Sequence, residues 1–264
     1  MKINNVFFLF VLFVTIVGQS GAQPIEVPLA QTWVGPDGQY LDVGKDTLKY
    51  YAHGGNKYGF GLRDTVLTVF SDETLSFVVQ HPDANKLLLI PKDSRSQNFL
   101  TGQAVVRPNT PVALQPMEFV SRNSLYAAPF SFQRLLYSRS GCGMIRCSYP
   151  NIGFDIDSNG NMKLSCVSGK GKLNGTYTGK LSPVQLVQLV TLVKNSVPDR
   201  FAFDKRHWED APGEYFNFYY NNKKNSSGGS SPPPYLAWAL TDYLYSLLDI
   251  VPLQQLSEKY EYFR

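Results

Sequence analysis

From Thr32 to Lys92 the chain repeats one pattern, a short run of alternating apolar and polar residues followed by a cluster able to reverse the chain. The clusters are G-P-D-G, G-K-D, H-G-G-N, S-D-E and H-P-D-A-N, all rich in residues that tolerate turn geometry. A period of two over such short runs suits half-buried strands. The predicted strands are Trp33, Gln39 to Val43, Thr47 to Ala52, Tyr58 to Arg63, Val66 to Ser71, Leu75 to Gln80 and Lys86 to Pro91. Connections this tight force antiparallel pairing, and such a meander hides its edges best by curling into a small barrel or sandwich. No helix of useful length is expected before residue 180.

Between Asp93 and Ser124 the alternation fades, and the segment R-P-N-T-P-V-A-L-Q-P carries prolines that remove donors and fix φ. A linker is therefore predicted over 108–127, after an antiparallel β-domain at 27–107 and before a second domain at 128–258. That second domain begins with predicted strands at Phe130 to Ser138, Ile152 to Asp157, Asn161 to Cys166 and Asn174 to Leu181. A helix follows from Ser182, with Pro183 in its first turn and Gln185 placed to complete a capping box. Its residues Val184, Leu186, Val187, Leu189, Val190 and Val193 are read as one broad apolar stripe covering a sheet. A strand at Glu214 to Tyr220 comes next, then N-N-K-K-N-S-S-G-G-S-S-P-P-P, read as a low-complexity loop, and a last helix from Pro234 to Asp249. Strands followed by helices predict an α+β fold, an N-terminal antiparallel barrel or meander and then an antiparallel sheet covered by two helices.

The N-terminus has the layout of a secretory signal: Lys2, the apolar segment Val6 to Val17, and small residues at Ser20 and Ala22, with cleavage expected after Ala22. The apolar segment is shorter than the about 20 residues a membrane span needs. A secreted or periplasmic protein is expected, with no membrane span after signal cleavage. The whole chain carries a formal charge of +4 with basic and acidic residues interspersed, which argues against a nucleic-acid partner. At 43% apolar and 14% aromatic residues, the chain has the means to bury a real core.

The second half contains F-Q-R-L-L-Y-S-R-S-G-C, then C-G-M-I-R-C-S-Y-P, F-D-I-D-S-N-G-N-M-K-L and G-K-L-S-P-V-Q-L-V-Q-L-V-T-L-V. This arrangement, over about 130–252, resembles a bacterial exported family of unknown function whose hallmark is C-x-G-x-C-P-x-[YF] followed by strand, D-G turn, strand and helix. Here four residues separate Cys142 from Cys147 where the family has three, and Pro150 comes late. The opening T-W-V-G-P-D-G-Q-Y-L-D-V is similar to the small lipocalin-like β-domains of secreted bacterial proteins. The resemblance implies an exported two-domain protein and no particular activity.

The chain has three cysteines, all between Cys142 and Cys166. No C-x-x-C pair is present, and His53, His81 and His207 lie far off in sequence, so a zinc or redox centre has no ligand pattern behind it. In an oxidising compartment a disulfide is the default, with Cys142 and Cys147 the first choice of pair and pairing of Cys166 with one of them the alternative. Cys166 is then the leftover thiol, either core or reactive.

Asp155, Asp157 and Asn159 occupy positions 1, 3 and 5 of an EF-hand-like calcium loop with Gly160 at its bend, but position 12 is Cys166 in place of an acid. A β-hairpin with an S-N-G turn is the favoured reading. The run K-R-H-W-E-D-A-P-G-E-Y gathers His207, Trp208, Asp210 and Glu214; clustered titratable groups suggest a hydrolase site, and a mixed-charge surface loop has the same signature. No nucleophile elbow, zincin motif or phosphate loop accompanies it. Along Glu214 to Tyr220 the aromatic residues alternate, placing Tyr215 and Tyr219 on one face, where with Trp208 they are candidates for a ligand surface. The function expected is a non-enzymatic binding or envelope-associated module without a cofactor, its partner a glycan, a peptide or an envelope protein; the alternatives are a hydrolase using His207, Asp210 and Glu214, and a calcium-binding wall module.

Overall fold

The computed structural model describes residues 29–51, 56–102, 113–140, 151–167, 173–203, 212–230 and 233–257. Eight antiparallel strands form a closed barrel: β1 (Thr32–Val34), β2 (Tyr40–Val43), β3 (Thr47–Tyr50), β4 (Asn56–Arg63), β5 (Val66–Phe70), β6 (Thr74–Asp83), β7 (Lys86–Pro91) and β8 (Met117–Ser121). Each strand pairs with its neighbour in sequence, and β8 closes the ring by pairing Ser121 with Trp33. The alternation that marked these strands sends Trp33, Leu41, Leu48, Phe77, Leu87 and Phe119 inward, all but fully buried. Each such side chain contributes about 1.5–3 kcal/mol through its burial. Large side chains fill the interior, which makes the barrel a packed core.

Two segments correct the sequence reading. Helix α1 (Ser94–Thr101) stands where no helix was expected; Asp93 accepts from the Ser96 amide at 2.7 Å, and Gly102 ends the helix at φ 73°. The helix has too few apolar residues to show a stripe in the sequence. It closes one end of the barrel: the Tyr50 hydroxyl donates to the Leu100 carbonyl at 2.6 Å, and the Tyr50 ring stacks on Phe99. The segment 108–127, expected as a linker, instead carries β8 within the barrel and then helix α2 (Arg122–Ala127).

The second sheet has seven antiparallel strands in the order β14, β13, β9, β10, β11, β12, β15. They span β9 (Phe132–Arg139), β10 (Asn151–Asp157), β11 (Asn161–Val167), β12 (Asn174–Lys180), β13 (Glu214–Tyr220), β14 (Lys223–Gly229) and β15 (Gln254–Leu256). The mixed α+β class is thus as expected. One face of the sheet, with Leu135, Phe154, Leu164, Phe216 and Phe218, shares a core with helices α3 (Pro183–Asn195) and α4 (Trp238–Ile250). The capping box at Ser182 and Gln185 is formed.

The stripe on α3 is narrower than predicted: Val184 is 77% and Val187 67% exposed. Leu186, Leu189, Val190 and Val193 follow the i, i+3, i+4, i+7 spacing of one face and meet the core, whereas Val184, Val187 and Thr191 lie on the opposite side. The low-complexity segment is corrected as well, since β14 occupies most of it. Asn221 and Asn222 take positive φ of 47° and 57°, a two-residue turn that lets Lys223–Gly229 pair along the whole of β13.

The barrel and the second sheet meet through a small apolar cluster of Val34, Tyr40, Val197 and Leu236. Tyr51 stacks on Tyr235 at 3.8 Å between ring centres, and the Arg200 guanidinium donates to the Val34 carbonyl at 3.1 Å. Among the described residues no helix is long and apolar enough to cross a membrane.

Candidate binding surface on the outer face of β13 and β14

The alternation of β13 buries Phe216, Phe218 and Tyr220 and turns Tyr215, Asn217 and Tyr219 to the other face of the sheet. Their partners on β14 are Gly228, Ser226 and Lys224. Tyr215 remains 51% exposed, and its ring lies across the backbone of Gly228, where any β-carbon would collide with it. Beside the ring, the Ser226 hydroxyl donates to the Asn217 carboxamide oxygen at 2.5 Å. That bond leaves the Asn217 amide NH2 and the Ser226 lone pairs for other partners. Further along, the Lys224 ammonium stands 5.6 Å from the centre of the Tyr219 ring. The result is an open recess of about 270 Å³ bounded by Tyr215, Phe216, Asn217, Ser226, Ser227 and Gly228.

Tyr215 and Tyr219 thus stand on the face on which the sequence placed them. Asn217, Ser226 and Gly228 were not singled out; the signal for Asn217 was its place between the two tyrosines in the alternation. Ser226 and Gly228 were hidden because their segment read as a loop.

Glu214 sits on the inner face, 5% exposed, with its carboxylate 3.4 Å from Nε of Arg139. Burial pushes its carboxyl above the usual range and the Arg139 guanidinium pulls it back. Tyr137 beside it has its phenol driven far up, by burial first and then by the Glu214 charge. Tyr245 of α4 completes the group, accepting from Arg139 at 3.2 Å. A buried acid held by an arginine in a core of this kind is an internal ion pair. His207 and Asp210, its proposed companions in a hydrolase, and Trp208, the third candidate for the ligand surface, lie outside the described residues.

The D-x-D-x-N-G run forms the β10–β11 hairpin, as favoured. Asp155 receives a two-point grip from Arg134 at 2.7 and 2.6 Å. Asp157 ties the turn, accepting from the amides of Asn159 and Asn161 at 2.9 Å and from the Asn161 side chain at 2.7 Å. Its slight burial acts upward, but these bonds and nearby Lys180 hold its carboxyl below the usual value. Gly160 takes φ 77° at the bend. Among the described residues no group of three or more histidine, cysteine or acidic side chains is placed to hold a metal ion.

Cys142 and Cys147, the proposed disulfide, lie outside the described residues. Cys166 is free and buried on the core face of β11, opposite Ile152, and burial pushes its thiol up. A protonated, enclosed sulfur is a small apolar core residue and a poor nucleophile.

No protein-family model matches the chain, no curated protein does, and no solved structure matches it.

Proposed function

We propose that the protein is an exported, non-enzymatic binding module that takes a neutral glycan on the outer face of β13 and β14. The observation carrying this reading is the Tyr215 ring laid on Gly228 beside the hydrogen-bonded pair Asn217 and Ser226. A pyranose offers a flat patch of C–H groups to an aromatic ring and hydroxyls around its rim, which need donors and acceptors of the carboxamide and hydroxyl type. The residues that one chain contributes to the recess are uncharged, which suits a neutral ligand. The filled barrel interior supports placing the ligand outside it, although the first half resembles lipocalin-like domains. The apolar segment Val6 to Val17 and the small residues at Ser20 and Ala22 support export.

The test is a thermal-shift and calorimetric screen of neutral oligosaccharides against the full chain and its Tyr215→Ala variant. Stabilisation of the wild type that the variant loses is expected. No response to any glycan, or a response untouched by Tyr215→Ala, overturns the reading. Amino-terminal sequencing of the expressed protein checks export, with residue 23 as the expected first residue.

A further inference from the structure

Strand β14 is the end strand of the second sheet, and among the described residues no strand pairs with its outer edge. The other end strand, β15, has only three residues, and the barrel is closed, so β14 is the one long edge in the described fold. Natural sheets normally blunt such an edge with charge, proline or a bulge. Here the β13–β14 ladder runs without a register break, and the charges stop at Lys223 and Lys224; the remaining residues are Asn225, Ser226, Ser227, Gly228 and Gly229. The strand is also held from its inner side. The Asn225 side chain donates to the Pro198 carbonyl, and the Ser227 hydroxyl accepts from the Phe203 amide at 3.1 Å.

The tight turn fixes which groups face outward. In a two-residue hairpin the flanking pair, here Tyr220 and Lys223, exchanges both backbone hydrogen bonds, and the pattern alternates from there. Lys223, Asn225, Ser227 and Gly229 therefore turn their N–H and C=O groups to β13, while Lys224, Ser226 and Gly228 turn theirs to the open edge. We infer that this edge pairs with the same edge of a second copy of the chain, antiparallel and centred on Ser226, extending the sheet across a two-fold axis. Only in that register do all three outward-facing residues meet outward-facing partners: Ser226 opposes itself, and Lys224 opposes Gly228 of the second copy. The lysines of the two copies are thereby kept at opposite ends, each against glycine, with no like-charge contact across the axis.

The side chains agree with this register. In its own chain Lys224 lies over the Tyr219 ring, its cross-strand partner. Across the axis it meets Gly228, over whose backbone the Tyr215 ring is already laid. Each Lys224 ammonium thus finds an aromatic ring on both sides and forms the missing outer wall of the other copy's recess. Small side chains at 226 to 229 let the two backbones approach to the about 4.8 Å that strand pairing needs. The inference concerns the edge and stands whether or not the recess binds a glycan.

Sedimentation of the full chain over a wide concentration range, with amide exchange at 224, 226 and 228, tests this. A dimer is expected, with those amides protected in the dimer and exchanging freely on dilution. Ser226→Pro removes an outward N–H and leaves the backbone ladder to β13 intact, so it is expected to give a folded monomer with the wild-type far-UV circular dichroism spectrum. Ser226→Cys under oxidation is expected to yield a dimer linked at position 226, as read from the linked peptide; this keeps the inference testable if the proline variant misfolds. A wild type that is monomeric throughout overturns the inference, as does a dimer that Ser226→Pro leaves intact or that links at no position on β14. Edge amides protected at every dilution in a monomer also overturn it, because the chain itself then covers the edge.

Discussion

The ring of Tyr215 lies across the backbone of Gly228, its direct neighbour on the next strand, and leaves no room for a β-carbon there. A glycine weakens a strand by itself, and an aromatic ring laid over it from the paired strand restores contact area. The same device recurs in the barrel, where the Phe70 ring covers Gly59 and Gly61.

Gly228→Ala is expected to push the Tyr215 ring off the sheet and to cost about 1–3 kcal/mol, the usual range for forcing a methyl into a filled site. Chemical denaturation measures the loss. In the Tyr215→Ala background the same substitution is expected to cost less, because the ring it strikes is gone, and the double-mutant cycle reads this difference as a coupling energy. Equal costs in both backgrounds would show that the backbone carbonyl of Glu214, also close to that position, sets the penalty.

Arg139 and Glu214 form a buried pair, and removing one member leaves the other's charge without compensation. Arg139→Met is expected to destabilise by about 3–5 kcal/mol. Glu214 has a raised carboxyl pKa in the fold. Its contribution to stability is therefore fully present below the unfolded carboxylate pKa and declines as pH rises through the folded value. Unfolding free energies of wild type and Glu214→Gln measured against pH should show the wild type losing ground to the variant over that window. A constant difference between them would contradict the assignment.

Asp157 works in the opposite direction, since turn hydrogen bonds hold its pKa low. Its contribution is present above the unfolded carboxylate pKa and disappears as pH falls through the folded value. Asp157→Ala should cost about 1.5–3 kcal/mol at neutral pH, the range for hydrogen bonds to a charged group. The cost should shrink in acid, which unfolding curves at both pH values would show.

Cys166 is 4% exposed. Peptide mapping after iodoacetamide treatment of the native protein should find this thiol unmodified, and fully modified after denaturation. Cys166→Ser, which buries a hydroxyl where the thiol was, should cost about 1–3 kcal/mol, and Cys166→Ala less. Rapid native alkylation would mean that the strand opens readily.

How far the fold could be read from sequence differs element by element. The barrel strands from Trp33 to Pro91 were legible because each alternates and each is followed by turn residues, both local properties. The hairpin at Asp157 to Asn161 and the helix at Ser182 were legible for the same reason. Strand β8 was not, because its pattern is weak and its place depends on Trp33, far away in sequence, having an unpaired edge. The chosen face of α3 was also out of reach: Val184 and Leu186 are both apolar, and only the position of the sheet decides which one is covered.

The candidate surface divides along the same line. The sequence alone determined that Tyr215 and Tyr219 share one side of a strand, since side chains alternate at every residue. It could not determine that K-K-N-S-S-G-G is a strand, for nothing in its polar and glycine residues favours extended structure. That segment becomes β14 because a turn with two positive φ angles returns it onto β13, whose own free edge supplies the hydrogen bonds. Periodicity is written in the chain, and pairing is decided by whatever else the fold brings within reach.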